Sequence, residues 1–141
     1  MPIRRSQYQS KQTLQEFYRN KHEWKGAYAS IASRMIDFID LVEEHFTETQ
    51  LIATTSHLRL CIQDRDEDHL NWVIIVASVG LDEYYFEYKV PECKSPWSNA
   101  WMRGTAKDLN EALIFLIKSM WESEVWKQND ELRRLKKKLG I

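Results

Sequence analysis

The sequence predicts an α+β fold, an antiparallel sheet of three to four strands with two long helices packed on one face, in the order α-β-β-β-(β)-α. Three observations predict it. Leu58, Leu60 and Ile62 alternate with His57, Arg59, Cys61 and Gln63, the period of a strand with one face on a core and one facing water. Trp72 to Val79 is almost continuously apolar, as in a central strand covered on both sides. Two stretches, Ala27 to Phe46 and Leu109 to Trp121, carry apolar residues at three- and four-residue intervals, the spacing of an amphipathic helix.

Taken in order, the first nine residues have no periodicity and read as a loose arm, with order beginning near Ser10. Leu14, Phe17 and Tyr18 form a short helical stripe that reaches Trp24, and Gly26 separates it from the first long helix. That helix places Tyr28, Ile31, Met35, Phe38, Ile39, Val42 and Phe46 on one face. Arg34, Asp37, Asp40, Glu43 and Glu44 lie on the other, and Thr47 to Gln50 ends it. Leu51 to Ser56, whose isoleucine and threonines suit a pleated surface, reads as a backward extension of the first strand in preference to a separate edge segment.

Asp64 to His69 has no apolar residue and supplies a turn, since aspartates bond their own backbone readily. The central strand sets Trp72, Ile74 and Val76 against Val73, Ile75 and Ala77. Gly80 to Glu83 breaks the run. The third strand then sets Tyr84, Phe86, Tyr88 and Val90 against Tyr85, Glu87 and Lys89, and Pro91 ends it because proline cannot donate to a ladder. After a loop from Glu92 to Asn99, Ala100 to Arg103 can pair as a fourth short strand. Thr105, three residues before Asp108, resembles a cap for the second long helix. From Lys127 a basic terminal helix begins, capped by Asp130 and stopped by Gly140. Leu132, Leu135 and Leu139 lie along one side of it. Such a stripe either folds back on its own domain or docks on a second copy. The short junction at Lys127 to Asn129 favours a homodimer with these leucines at the interface.

At 141 residues with 43% hydrophobic content, the chain has room for one domain with a real core. Its net charge of -1 conceals a pattern. Residues 1–25, a basic arm with a short helix, carry six basic and two acidic groups. Residues 26–126, the domain proper, carry eight basic and seventeen acidic groups, and residues 127–141, the terminal helix, carry six and two. An acidic centre suits a basic partner better than a phosphate backbone. No apolar run reaches the ~18 residues of a membrane span, and the amino terminus lacks the apolar segment of a secretory signal, so a cytoplasmic location is expected. The two cysteines, Cys61 and Cys93, lack CxxC spacing and read as free thiols of a reducing compartment.

Motifs of chemistry are sparse. Asp64, Asp66 and Asp68 have the spacing of the first ligands of a calcium loop, but His69 stands where glycine is needed and Ile75 where a bidentate glutamate belongs. A solvated acidic turn is expected, with no metal. His22, His45, His57 and His69 include no pair at ligand spacing. There is no GxSxG, phosphate-binding glycine loop or dinucleotide fingerprint, so no catalytic residue and no cofactor are expected. Cys61 reads as a small half-buried side chain rather than a nucleophile.

The aromatic residues fill the core or cover a sheet face, and part of their surplus can form a recognition surface. Six tryptophans exceed what a core of this size needs, and Trp97, between Pro96 and Ser98 in a loop, has the weakest structural reason to be large. Trp97, Trp101, Tyr85, Glu87, Asp82 and Glu83 are therefore the candidate partner-binding residues. The expected function is that of a non-enzymatic interaction protein for a protein partner, one that neutralises or escorts a basic protein. The alternatives are nucleic-acid binding through the basic ends and, third, a small-molecule-binding or catalytic domain. Two resemblances bear on this choice. The α-β-β-β-α order is similar to that of double-stranded RNA-binding domains, whose second helix opens on a lysine cluster, whereas Thr105 to Glu111 offers one lysine and two acids. Over ten residues, Gly104-Thr105 leading to Glu111-Ala112-Leu113 resembles the strand-to-helix entry of antitoxins of the Hic type.

Overall fold

Ile3 begins the sheet. In the computed structural model, which describes residues 2–20, 24–80 and 82–141, strand β1 (Ile3–Arg5) runs parallel to β2 (Leu51–Ser56), with Ile3 opposite Leu51. Strands β3 (Arg59–Gln63), β4 (Ile74–Val79), β5 (Glu83–Lys89) and β6 (Trp101–Ala106) follow, each antiparallel to the one before. The result is a six-stranded mixed sheet in sequence order, not the antiparallel sheet of three to four strands that periodicity suggests.

Three features account for the difference. Leu51 to Ser56 is a strand of its own because the chain reverses at His57, which takes a positive φ of 57° and brings Ser56 opposite Arg59. The amino terminus joins the sheet because Ile3 is fully buried and backbone bonds on either side, Leu51 N–H to Pro2 O and Ser6 N–H to Ala53 O, zip it onto β2. It is not a loose arm. The last strand runs on through Gly104 to Ala106, in register with β5 along its whole length. A Cβ on Gly104 would stand 3.0 Å from Phe115 Cε2, so glycine there admits close packing of a helix rather than ending a strand.

Parallel β1 and β2 need a long crossover, which helices α1 (Leu14–Arg19) and α2 (Ala27–His45) provide. A capping box opens α1: Glu16 N–H donates to Thr13 Oγ1 at 3.0 Å, and Thr13 N–H donates to Glu16 Oε1 at 3.2 Å. Helix α3 (Leu109–Glu122) is capped by Asp108, whose carboxylate accepts from Glu111 N–H at 2.9 Å; Thr105, the cap expected from sequence, lies inside β6. Phe86 of β5 lies 5.8 Å from Phe38 of α2 and 5.8 Å from Phe115 of α3, ring centre to ring centre, so both long helices cover the side that Phe86 faces. Leu60, Ile62, Ile74, Val76 and Tyr84 share that side by register and are buried. The Tyr84 hydroxyl donates to Arg34 O of α2 at 2.8 Å, and burial pushes its pKa up to about 12.

Helix α4 (Asp130–Leu139) folds back on this core. Asn129 caps it, accepting from Leu132 N–H at 2.9 Å, and Gly140 closes it in the left-handed conformation. Leu132 and Leu135, which the sequence assigns to a subunit interface, are covered here by the chain's own core, while Leu139 remains 40% exposed. The anchor is Glu131, itself buried, whose carboxylate accepts from the backbone N–H groups of Thr47, Glu48 and Thr49 and from the hydroxyls of Thr47 and Thr49.

Candidate functional site

Cross-strand partners point to the same side of a sheet, so the register sorts the strands into two faces. The face opposite the helices carries Arg4, Ile52, Thr54, Cys61, Gln63, Ile75, Ala77, Tyr85, Glu87, Arg103 and Thr105. Its two halves differ in what covers them.

Over β1 to β3, the acidic segment between β3 and β4 folds back across the face. Asp66 is its pin: Oδ2 accepts from Arg4 Nη1 at 2.8 Å and from Gln7 N–H at 3.3 Å, while Oδ1 accepts from the Ser6 hydroxyl at 2.6 Å. Desolvation works to raise this carboxyl's pKa, but the hydrogen bonds from Ser6, Arg4 and Gln7 outweigh it and hold the group below its ordinary value. The expected solvated turn is thus partly a buried tether, and the Asp66 side chain is only 8% exposed. Trp72 lies in the same returning segment and not in the central strand. Its indole N–H donates to Thr54 Oγ1 at 2.9 Å, across the face from where the sequence pattern puts it. Cys61 is the cross-strand partner of Thr54, and this cover explains why its thiol is fully buried rather than half-buried. Burial pushes that thiol up to about 11, which leaves little thiolate for nucleophilic work.

Over β5 and β6 the face reaches solvent, whereas Ile75 of β4 is still buried. Tyr85 stands opposite Thr105, Glu87 opposite Arg103 and Lys89 opposite Trp101. Arg103 and Thr105 are exposed, whereas Tyr85, Glu87 and Trp101 are half-buried by their neighbours. The Tyr85 hydroxyl donates to Glu87 Oε1, which holds the phenol along the strand; partial burial, then this bond to a carboxylate, raises its pKa. Charges of both signs alternate with two aromatic rings here, an amphipathic surface suited to another protein's side chains.

Among the residues singled out from sequence, Tyr85, Glu87 and Trp101 come together on this face. Trp97 lies in the loop at the Trp101 end and is 71% exposed, with its carbonyl accepting from the Ser95 hydroxyl. Asp82 and Glu83 lie at the far end of β5, about 20 Å away for a strand of this length. Asp82 adjoins α2, whose Arg34 Nε is 3.9 Å from its Oδ1, and so extends the row of exposed Asp37 and Asp40, whereas Glu83, opposite Val79, shares the face of Tyr85 and Glu87. Sequence reasoning passed over Arg103 and Thr105. The alternation of Trp101, Arg103 and Thr105 against Met102, Gly104 and Ala106 was the available signal, masked by treating Gly104 as a break.

Part of the basic ends is occupied by the domain itself. Besides the Arg4 pair, the Arg5 Nη2 donates to Thr55 Oγ1 at 2.6 Å. In α4, Arg134 pairs with Glu48 at 2.8 Å, and Lys136 Nζ stands 4.7 Å from the Trp121 ring centre. Among the described residues no group of three His, Cys, Asp or Glu side chains is placed to hold a metal ion, and no helix is long and apolar enough to cross a membrane. Compared with known protein families, curated proteins and solved structures, the chain finds no match.

Proposed function

We propose that this is a non-enzymatic interaction protein that takes a protein partner on the uncovered β5–β6 face of its sheet. The observation that carries this reading is the asymmetry of that face. The same chain that folds a ten-residue segment over β1 to β3 leaves Tyr85, Trp101 and Arg103 in reach of solvent, with Trp97 exposed in the loop that leads into β6. Tyrosine, tryptophan and arginine supply most of the energy of protein interfaces because they offer large contact area for little lost freedom. The acids at the other end of β5, with Asp37 and Asp40 of α2, favour a partner that carries basic groups, which this protein would neutralise or escort. Nucleic-acid binding through the termini has less support, since Arg4, Arg5, Arg134 and Lys136 already hold partners within the chain.

Photo-crosslinking tests this placement. A crosslinking residue put at Arg103 should trap a protein partner in cells, and one put at exposed Lys107, beyond the end of β6, should trap it far less. Equal capture from both positions would remove the face from consideration.

A further inference from the structure

The geometry points to a binding site for a small aromatic carboxylate in the cleft between α1, the start of α2 and the β2–β3 turn. This cleft opens at the β2–β3 end of the sheet, where Ala77 of the uncovered face also lines it, and it is not part of the function proposed above. Its volume is about 800 Å³, within the usual span of small-molecule sites, and Phe17, Trp24, Tyr28, Ile31 and Leu58 give it apolar walls. Phe17 and Trp24 already pack edge to face at 5.5 Å, leaving ring surface for a flat guest.

The polar groups set the charge of the guest. Arg5, Arg59 and His57 line the cleft, and among the described residues lining it there is no aspartate or glutamate. Arg5 comes from the basic arm of residues 1–25, and Arg59 and His57 from the otherwise acidic segment, residues 26–126. Arg5 is half-buried, its guanidinium carbon 4.8 Å from the Phe17 ring centre, and it has no carboxylate partner among the described residues. Neutral oxygens hold it in place: Gln9 Oε1 at 3.0 Å on Nε, Thr55 Oγ1 at 2.6 Å on Nη2, and Gln12 O and Oε1 at 3.5 and 3.4 Å on Nη1. A guanidinium has five N–H groups, so an Nη2–H remains for a ligand, fixed in direction by the other bonds. Among the described residues, Arg59 donates only to Ser56 Oγ, at 3.2 Å. Ser78, 6% exposed, also lines the cleft, and its hydroxyl has no hydrogen-bond partner among the described residues. A buried hydroxyl without a partner costs free energy, which a polar ligand atom would recover.

Titration calorimetry on the full-length protein with 2-naphthoate, and with the neutral 2-naphthalenemethanol of the same shape, tests the site. Saturable one-to-one binding of the acid is expected, with the alcohol weaker by about ten-fold because it forgoes the charge-assisted bond. Arg59→Gln and Tyr28→Ala should each weaken naphthoate binding several-fold without shifting the thermal melt, since Tyr28 is 61% exposed and Arg59 lies at the rim. Arg5→Gln should weaken it further, read alongside its own melting curve. No saturable binding at millimolar naphthoate, equal affinity for the alcohol, or unchanged affinity in both rim variants would each overturn the assignment.

Discussion

The carboxylate of Glu131 accepts from Thr49 N–H at 2.9 Å and from the Thr49 hydroxyl at 2.7 Å, across 82 residues of sequence. This pair, with the neighbouring bonds from Thr47 and Glu48, ties α4 to the loop that leads from α2 into β2. Burial works to raise the carboxyl's pKa, but the Thr49 hydroxyl and the three backbone amides outweigh it and hold the value down at about 2, from an ordinary 4.5.

A pH dependence follows. Because the folded value lies below the unfolded one, the stabilisation is fully present above the unfolded value near 4.5 and is lost as pH falls through about 2. Glu131→Gln should cost about 3 kcal/mol at pH 7, since it puts an amide NH2 among donors and removes the charge they serve. The gap between wild type and variant should narrow steadily from pH 5 towards pH 2. Denaturant melts at pH 7 and pH 3 measure this, and a gap of the same size at both would mean that the charge is not what holds the loop.

Asp66 offers a second test at the other edge of the sheet. Asp66→Ala removes the acceptor shared by Arg4, Ser6 and Gln7 and should destabilise the protein by about 1–3 kcal/mol, with amide exchange rising first in β1. Millimolar calcium should leave the wild-type melting temperature unchanged, because the oxygens a cation would need already accept from three donors. A calcium-dependent rise that disappears in Asp66→Ala would restore the metal interpretation.

Ile74, fully buried, lies between Ile62 of β3 and Tyr88 of β5 on the helix-covered side. Ile74→Asp would place an unpaired carboxylate in that layer at a cost of several kcal/mol, enough to remove most of the ~5–15 kcal/mol that holds a domain folded. Soluble variant protein with an unaltered thermal transition would contradict the assignment of β4 to the centre of the sheet.

The terminal helix can be tested by mass and by truncation. With Leu132 and Leu135 covered by the same chain, the full-length protein is expected to scatter light as a monomer at micromolar concentration. Ending the chain after Trp126 should lower its stability by about 2–5 kcal/mol or more, the cost of losing buried leucines. A dimer mass that falls to a monomer on truncation would indicate that α4 is exchanged between copies.

The fold was legible in the sequence where its cause is local. The apolar stripe of α2 predicts Ala27 to Phe46 and the helix spans Ala27–His45; the central and third strands likewise lie within two residues of their predicted bounds. What was hidden has distant causes. Arg4 and Arg5 look like a loose basic arm because Asp66 and Thr55, which hold them, are some 50 to 60 residues away. Leu51 to Thr55 is buried at every position, so β2 shows no alternation to count, and the turn after it uses His57 in a conformation more typical of glycine or asparagine. The uncovered face was found in part. Tyr85, Glu87 and Trp101 were marked by residue type, whereas Arg103 and Thr105 needed the register of β6 with β5.

The most direct test of the interaction face is affinity capture from nuclease-treated lysate, comparing wild type with Trp101→Ala and Arg103→Glu, both first shown to melt like wild type. A protein that co-purifies stoichiometrically with the wild type, and is lost from both variants, is the predicted result. Capture that persists unchanged in both variants, or retention of nucleic acid alone before nuclease treatment, would contradict a protein-binding role for the β5–β6 face.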